Sequence, residues 1–286
     1  MLRFRPDRLF IGLSPDHLSW VRLAPQRLTS SSSLPVIIDS NIVSLNRPSE
    51  DSTGETTCLQ VLRQELEPLS GQRTDAHIIV SDRLTRAFIA ERPAGARNVG
   101  EIKGVAQYAF EEIFGTSASE WEIRIDMPPT ASRQLGCALR KTLVSEILSI
   151  CDEAQTSVRS IQPFSVSEFN RWHDRLSSQD GWFAVFEEHS MWVAYFEKAN
   201  WMSVNHYTAW KDIAEEFPQW MEEEFLRAPV LDPIRPVWLT GILPKISQPS
   251  GSALNPMQVL GAPLWPGQSA AWSASHRLAL SPLWPA

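Results

Sequence analysis

The chain has 286 residues, of which 43% are apolar and 21% charged, and a formal net charge of -7. That length can bury a sizeable core in one large domain or two lobes, and the acidic balance argues against a nucleic-acid surface. Three scattered cysteines, Cys58, Cys137 and Cys151, form no CxxC pair; they signal neither a zinc site nor a disulfide framework, and a reduced, cytosolic setting is expected.

Apolar runs are broken by charge or proline short of the roughly 18 residues that a membrane helix needs. No signal-peptide core follows the basic start MLRFRPDRLF. Leu9 to Leu13 reads as a strand, Ser14-Pro15-Asp16 as a turn, and His17 to Leu23 as a half-buried strand by alternation. After a Ser-rich break, Pro35 to Asp39 and Ile42 to Leu45 supply a third strand region. Arg47 to Thr56 reads as a loop. Cys58 to Leu69 carries leucines at helical spacing, and Pro68 to Arg73 ends that helix.

A mixed α/β block follows. His77 to Val80 and Ala87 to Ala90 read as strands. Val99 to Phe114 places Ile102, Ala106, Ala109, Phe110 and Ile113 along one helical face, and Gly115 closes it. Trp121 to Asp126 alternates as a strand before Met127-Pro128-Pro129. Ser132 to Ala154 reads as the longest helix, with Leu135, Leu139, Leu143, Ile147, Leu148 and Cys151 in register. Thr156 to Pro163 returns as a strand, and Phe164 to Leu176 as a helix capped by Ser165 or Ser167.

Gly181 to Tyr195 reads as a β-hairpin, two aromatic and β-branched runs around the polar corner Glu187-Glu188-His189-Ser190. Trp201 to Val204 is a further strand. Thr208 to Arg227 is an amphipathic helix with Trp210, Ile213, Phe217, Trp220, Met221 and Phe225 on one face and Pro218 as a kink point. Pro236 to Gly241 is a strand ending in a glycine turn. Beyond Lys245, Pro, Gly, Ser and Ala predominate, and the tail reads as irregular.

This order of meander, helix, inserted α/β module, second meander, helix and strand ending Leu239-Thr240-Gly241 resembles the actin-like superfold. Within it the chain resembles the PilM and GspL group of type IV pilus and type II secretion assembly platforms. The resemblance spans roughly residues 8 to 244. It rests on Ile11-Gly12-Leu13, on Leu139 to Ala154 with Val158 to Pro163, and on Val237 to Gly241. It implies an α/β, actin-like (ribonuclease H-like), two-lobed ATPase fold: residues 1–165 a first lobe with an inserted module at about 76–160, residues 166–244 a second lobe, and 245–286 a Pro/Trp-rich tail.

Against that pattern the nucleotide-facing positions Gly12, Ser14, Asp16, Glu187, Glu188 and Gly241 are degenerate. An ATP-binding relative carries an acid and a second glycine in the first turn, where this chain has Ser14 and Pro15-Asp16. Glycine lets backbone N–H groups approach phosphate, and proline supplies none. The second turn, Phe186 to Ser190, has no glycine, and Glu187 and Glu188 would repel a triphosphate. Ile242 stands where a second glycine would follow Gly241.

Other polar groups have plainer readings. Glu187-Glu188-His189 reads as a solvated turn before a metal or acid/base site, and Asp16-His17 as a polar turn. His173-Asp174 reads as a helix-surface pair, Cys137 and Cys151 as core positions on a helix, and Glu222-Glu223-Glu224 as solvent-facing charge.

The resemblance therefore implies a non-enzymatic scaffold without a cofactor at the cytoplasmic face of the inner membrane. Its partner would be the PilN-like cytoplasmic N-terminus of a bitopic platform protein. Other pilus or secretion platform subunits would join it, with membrane contact only through partners and no nucleic acid. The search area for the partner groove is Ile78 to Ile89 and Val99 to Phe114. The alternatives are an active Mg-ATP-binding ATPase of the same machinery, in which Asp16 or Glu187 approaches the metal, and an unrelated α/β adaptor. Leu264-Trp265-Pro266 and Leu283-Trp284-Pro285 could anchor on a partner or fold back on their own domain, and deleting Gln248 to Ala286 is expected to weaken partner recovery and leave thermal stability nearly unchanged.

Overall fold

A computed structural model describes residues 6–25, 36–45, 55–71, 73–93, 95, 98–126, 131–198, 200–209, 212–227, 235–243, 256–260 and 274–281. In chain order the elements are β1 (Asp7–Leu13), β2 (His17–Leu23), β3 (Ile37–Ser44), α1 (Glu55–Leu66), β4 (Thr74–Val80), β5 (Thr85–Glu91) and α2 (Val99–Phe114). Then come β6 (Trp121–Ile125), β7 (Arg133–Arg140), α3 (Lys141–Glu153), β8 (Thr156–Pro163), α4 (Phe164–Leu176), β9 (Gly181–Phe186) and β10 (Ser190–Glu197). The last are β11 (Asn200–Thr208), α5 (Ile213–Arg227), β12 (Val237–Gly241), β13 (Met257–Val259) and α6 (Ala274–Leu280).

The chain divides into two compact units, one of Met1–Leu84, Thr142–Ser167 and Pro263–Ala286, the other of Thr85–Lys141 and Glu168–Ala262. This is not the contiguous division at residue 165: the segment from Thr85 to Lys141 belongs with the later hairpin. The tail is also shared, β13 going to the second unit and α6 to the first.

The first unit holds a sheet of order β3-β2-β1-β4-β8, antiparallel across the first three strands and parallel across the rest. Leu9, Ile11, Leu13, Ile78, Ile79 and Val80 are fully buried, because inner strands covered on both faces read as apolar runs. The outer strand β3 covers its own edge. The Ser40 N–H donates to Asp39 Oδ1 at 2.8 Å and the Ile42 N–H to Asn41 Oδ1 at 3.0 Å. Edge amides satisfied this way are poor templates for another strand.

The second unit repeats that topology. Its main sheet has the order β11-β10-β9-β12-β13, with the same antiparallel and parallel pairings in the same places. Phe186, Met191, Tyr195, Phe217 and Met221 form its core with Trp182 and Trp220. A smaller antiparallel sheet, β5-β7-β6, carries α2 on one face through Phe88, Phe110, Ala106, Ala138 and Trp121. Asn98 caps α2, its Oδ1 accepting the Glu101 N–H at 2.9 Å while its amide donates back to Glu101 Oε1. Gly115, at φ +62°, closes the helix in the left-handed region.

Three sequence expectations change here. The helix read from Ser132 to Ala154 is strand β7 up to Arg140 and helix α3 only from Lys141. Leu135, Leu139 and Leu143 are four apart, which imitates a helical face, but β7 is a central strand with both sides buried. Cys137 therefore lies on a strand and Cys151 on α3, not on one helical face. The helix read from Thr208 starts at Ile213, because Thr208 ends β11 and Asp212 Oδ1 accepts the Ala214 N–H. Trp210 lies outside the described residues.

Candidate functional site

The turn between β1 and β2 is built by local hydrogen bonds. The Ser14 N–H donates to the His17 carbonyl at 3.0 Å, and the Asp16 N–H to Ser14 Oγ at 3.3 Å. Pro15 has no N–H. The Ser81 N–H, just past β4, donates to the Leu13 carbonyl at 2.8 Å, and the Leu45 N–H to the Asp16 carbonyl at 2.7 Å. The Asp16 carboxylate pairs with the Arg83 guanidinium, both side chains mostly buried.

The turn between β9 and β10 has the same frame. The Glu187 N–H donates to the Ser190 carbonyl at 2.8 Å, the Ile242 N–H to the Phe186 carbonyl at 2.7 Å, and the Ala209 N–H to the His189 carbonyl at 2.8 Å. Ser14, Pro15, Asp16 and His17 thus correspond to Glu187, Glu188, His189 and Ser190. Within the second turn Glu187 is buried, Glu188 exposed and His189 half-buried. The two neighbouring carboxylates do not converge. Among the described residues, no group of three or more His, Cys, Asp or Glu is arranged to hold a metal ion.

Neither expected glycine faces open space. A Cβ on Gly12 would come within 2.8 Å of the Ala279 backbone N and of Ser19 Oγ, because α6 packs on that spot. Gly241 has φ +92°, and a Cβ there would lie 2.3 Å from the Phe186 carbonyl oxygen. Its glycine is required by the close approach of β12 to β9, where Gly241 and Phe186 are in register.

A buried ionic cluster adjoins Gly241, and sequence reading missed it. The fully buried Thr240 hydroxyl donates to Glu168 Oε2 on α4, and Arg171 Nη1 lies 3.4 Å from Glu168 Oε1. Burial lowers the pKa of the Arg171 guanidinium, against the raising influence of Glu168. The signal was the Glu-x-x-Arg spacing on α4, which puts both side chains on one helical face.

The remaining candidates sit apart. Asp82 Oδ2 accepts the Ser165 N–H and Oδ1 accepts its hydroxyl, so the start of α4 is capped from outside rather than by its own serines. His173 and Asp174 are an exposed pair at 3.5 Å. Glu224 is not solvent-facing as read. It is buried on α5 and accepts from Asn205 Nδ2 and the Tyr207 hydroxyl. In the groove search area, β4 is paired on both edges, so no partner strand can add at Ile78 to Val80. The edges of the small sheet are β5 and β6.

No known protein-family profile matches the chain, and no curated protein matches it. Solved structures do. The PilM-PilN type IV pilus biogenesis complex is 14% identical, with 97% of this chain and 96% of that chain covered and a TM-score of 0.59. The cytoplasmic domain of EpsL, an inner membrane component of the type II secretion system of Vibrio cholerae, is 11% identical, with 90% of each chain covered and a TM-score of 0.58. A Bacteroides thetaiotaomicron protein with an actin-like ATPase fold and unknown function is 13% identical, with 86% of this chain and 87% of that chain covered and a TM-score of 0.53. The chain has the actin-like fold of the kind found in PilM and in the EpsL cytoplasmic domain. Identities this low speak for the fold alone.

Proposed function

We propose that this actin-like chain is a nucleotide-independent scaffold of an inner-membrane pilus or type II secretion platform, acting from the cytoplasmic face. The observation that carries the nucleotide-independent part is the first turn. Its Ser14 and Asp16 N–H groups are engaged within the turn, Pro15 has no N–H, and the Asp16 carboxylate is held by Arg83. A phosphate cradle needs several outward N–H groups, and a metal-water shell needs a carboxylate directed at it. In the second turn Glu187 and Glu188 add negative charge where an anion would sit.

The proposed partner is a cytoplasmic N-terminal segment of a bitopic membrane protein; the likeness to the PilM-PilN type IV pilus biogenesis complex supports a partner of that platform. Among the described residues no helix is long and apolar enough to cross a membrane, which fits attachment through such a partner. Two measurements test the reading. Isothermal titration with Mg-ATP is expected to give no heat at millimolar nucleotide, and micromolar binding would overturn the nucleotide-independent part. Pull-down from inner-membrane extracts is expected to recover a bitopic platform protein. Failure to recover any platform component would sink the scaffold assignment.

A further inference from the structure

We propose that the outward face of α2 is a self-association surface, on which the α2 helices of two copies cross antiparallel over Gly104 and Val105. An open pocket of about 610 Å³ lies on this face, lined by Pro93, Glu101, Gly104, Val105 and Tyr108. The four helical positions are spaced i, i+3, i+4 and i+7, one continuous stripe opposite the buried Ile102, Ala106 and Phe110. Tyr108 is 68% exposed. An apolar stripe with an outstanding tyrosine is the kind of surface that marks an interface.

Gly104 adds a second reason. A glycine in mid-helix weakens the helix, and no atom lies within 4 Å of the place its Cβ would take. Among the described residues nothing requires it. It leaves room for a second backbone to come close.

Charge selects the occupant and its direction. In an antiparallel crossing centred between Gly104 and Val105, Tyr108 of one copy lies beside Glu101 of the other, twice over. The phenol can donate to that carboxylate. A parallel crossing would set Glu101 against Glu101, which is repulsive. The stripe is thus complementary to itself in one orientation only, the requirement of a two-fold interface. A helix of 16 residues is about 24 Å long and about 10 Å wide, well under the roughly 800 Å² per partner of a standard interface, so the association is weak.

Sedimentation velocity of the full chain, from low to high micromolar concentration, tests this. The unaltered chain should pass from monomer to dimer. Tyr108→Ala should weaken dimerisation about ten-fold or more. Gly104→Leu should abolish it while raising the melting temperature, since leucine is the better helix former. Loss of the dimer in a more stable chain cannot be misfolding. Gly104→Cys should form an intermolecular disulfide under mild oxidation, because Cys58, Cys137 and Cys151 are buried. A chain that stays monomeric throughout, or a dimer untouched by both Tyr108→Ala and Gly104→Leu, would overturn the proposal. It stands independently of the nucleotide reading.

Discussion

The Arg83 guanidinium holds the Asp16 carboxylate at the turn between β1 and β2, with both side chains largely withdrawn from water. The carboxylate of that turn is therefore paired with a cation from within the chain. Arg83→Ala leaves a largely buried carboxylate uncompensated and should destabilise the chain by about 1–3 kcal/mol in urea unfolding. The same variant should still give no heat with Mg-ATP, because Pro15 and the engaged amides remain. Nucleotide binding on loss of Arg83 would mean that the pair masks a working site.

Gly241 should tolerate no side chain. Its φ of +92° is unfavourable for any L-residue, and a Cβ would stand 2.3 Å from the Phe186 carbonyl oxygen. Gly241→Ala should cost at least about 2 kcal/mol, read as a fall in the denaturation midpoint. An unchanged midpoint would show that β12 can move away from β9 cheaply.

The tail contributes to the core, contrary to the expectation from its composition. Leu278, Ala279 and Leu280 of α6 are buried, and Ala279 and Leu280 pack on Phe10, Val21 and Leu23. The Ser281 hydroxyl donates to Ser167 Oγ at 2.9 Å. Leu280→Ala should cost about 2–4 kcal/mol, and deletion of Gln248 to Ala286 should lower the melting temperature sharply. A truncated chain that melts like the parent would return the tail to a peripheral role. Trp265, Trp272 and Trp284 lie outside the described residues.

The thiols of the first unit should be inert in the native state. Burial, helped by Glu55, pushes Cys58 up to about 12, and burial pushes Cys151 up to about 11. A disulfide reagent at pH 8 should titrate neither until denaturant is added. The sign for stability follows. Their folded pKa values lie above the ordinary 9.0, so the contribution is complete below about 9 and is lost as pH rises toward 11 and 12. Alkaline unfolding over that range should be milder in the Cys58→Ala/Cys151→Ala variant. Rapid native-state labelling would contradict the burial of both thiols.

Much of the fold is legible because aromatic and β-branched residues mark the strands. The hairpin from Gly181 is visible in that way, as is α2, with its Asn98 cap and closing Gly115. Strand β7 is not, since its buried leucines fall four apart. Gly136 lies under the Phe88 ring, where a Cβ would clash, and a mid-strand glycine of this kind marks such a close approach. Helix α6 is short, and only tertiary contact with Phe10 and Val21 reveals it. That both turns lack a second glycine is plain in the sequence. The engagement of Asp16 by Arg83 is not, because it joins residues 67 apart.

The buried pair Glu168 and Arg171 permits a sharper test of whether the region beside Gly241 is structural. The two side chains are 0% and 2% exposed, and Thr240 donates to the same carboxylate. Removing one partner strands a charge in a dry interior, so Glu168→Ala should cost about 3–5 kcal/mol. Replacing both with apolar residues of similar volume removes the stranded charge as well as the attraction. Glu168→Leu with Arg171→Met should therefore recover most of the loss, a double-mutant coupling of about 2 kcal/mol or more in chemical unfolding. A structural pair predicts that this double variant also keeps partner recovery in pull-down. If the double variant is stable yet recovers no partner, Glu168 and Arg171 act in recognition, and the cluster beside Gly241 is a working site rather than part of the core.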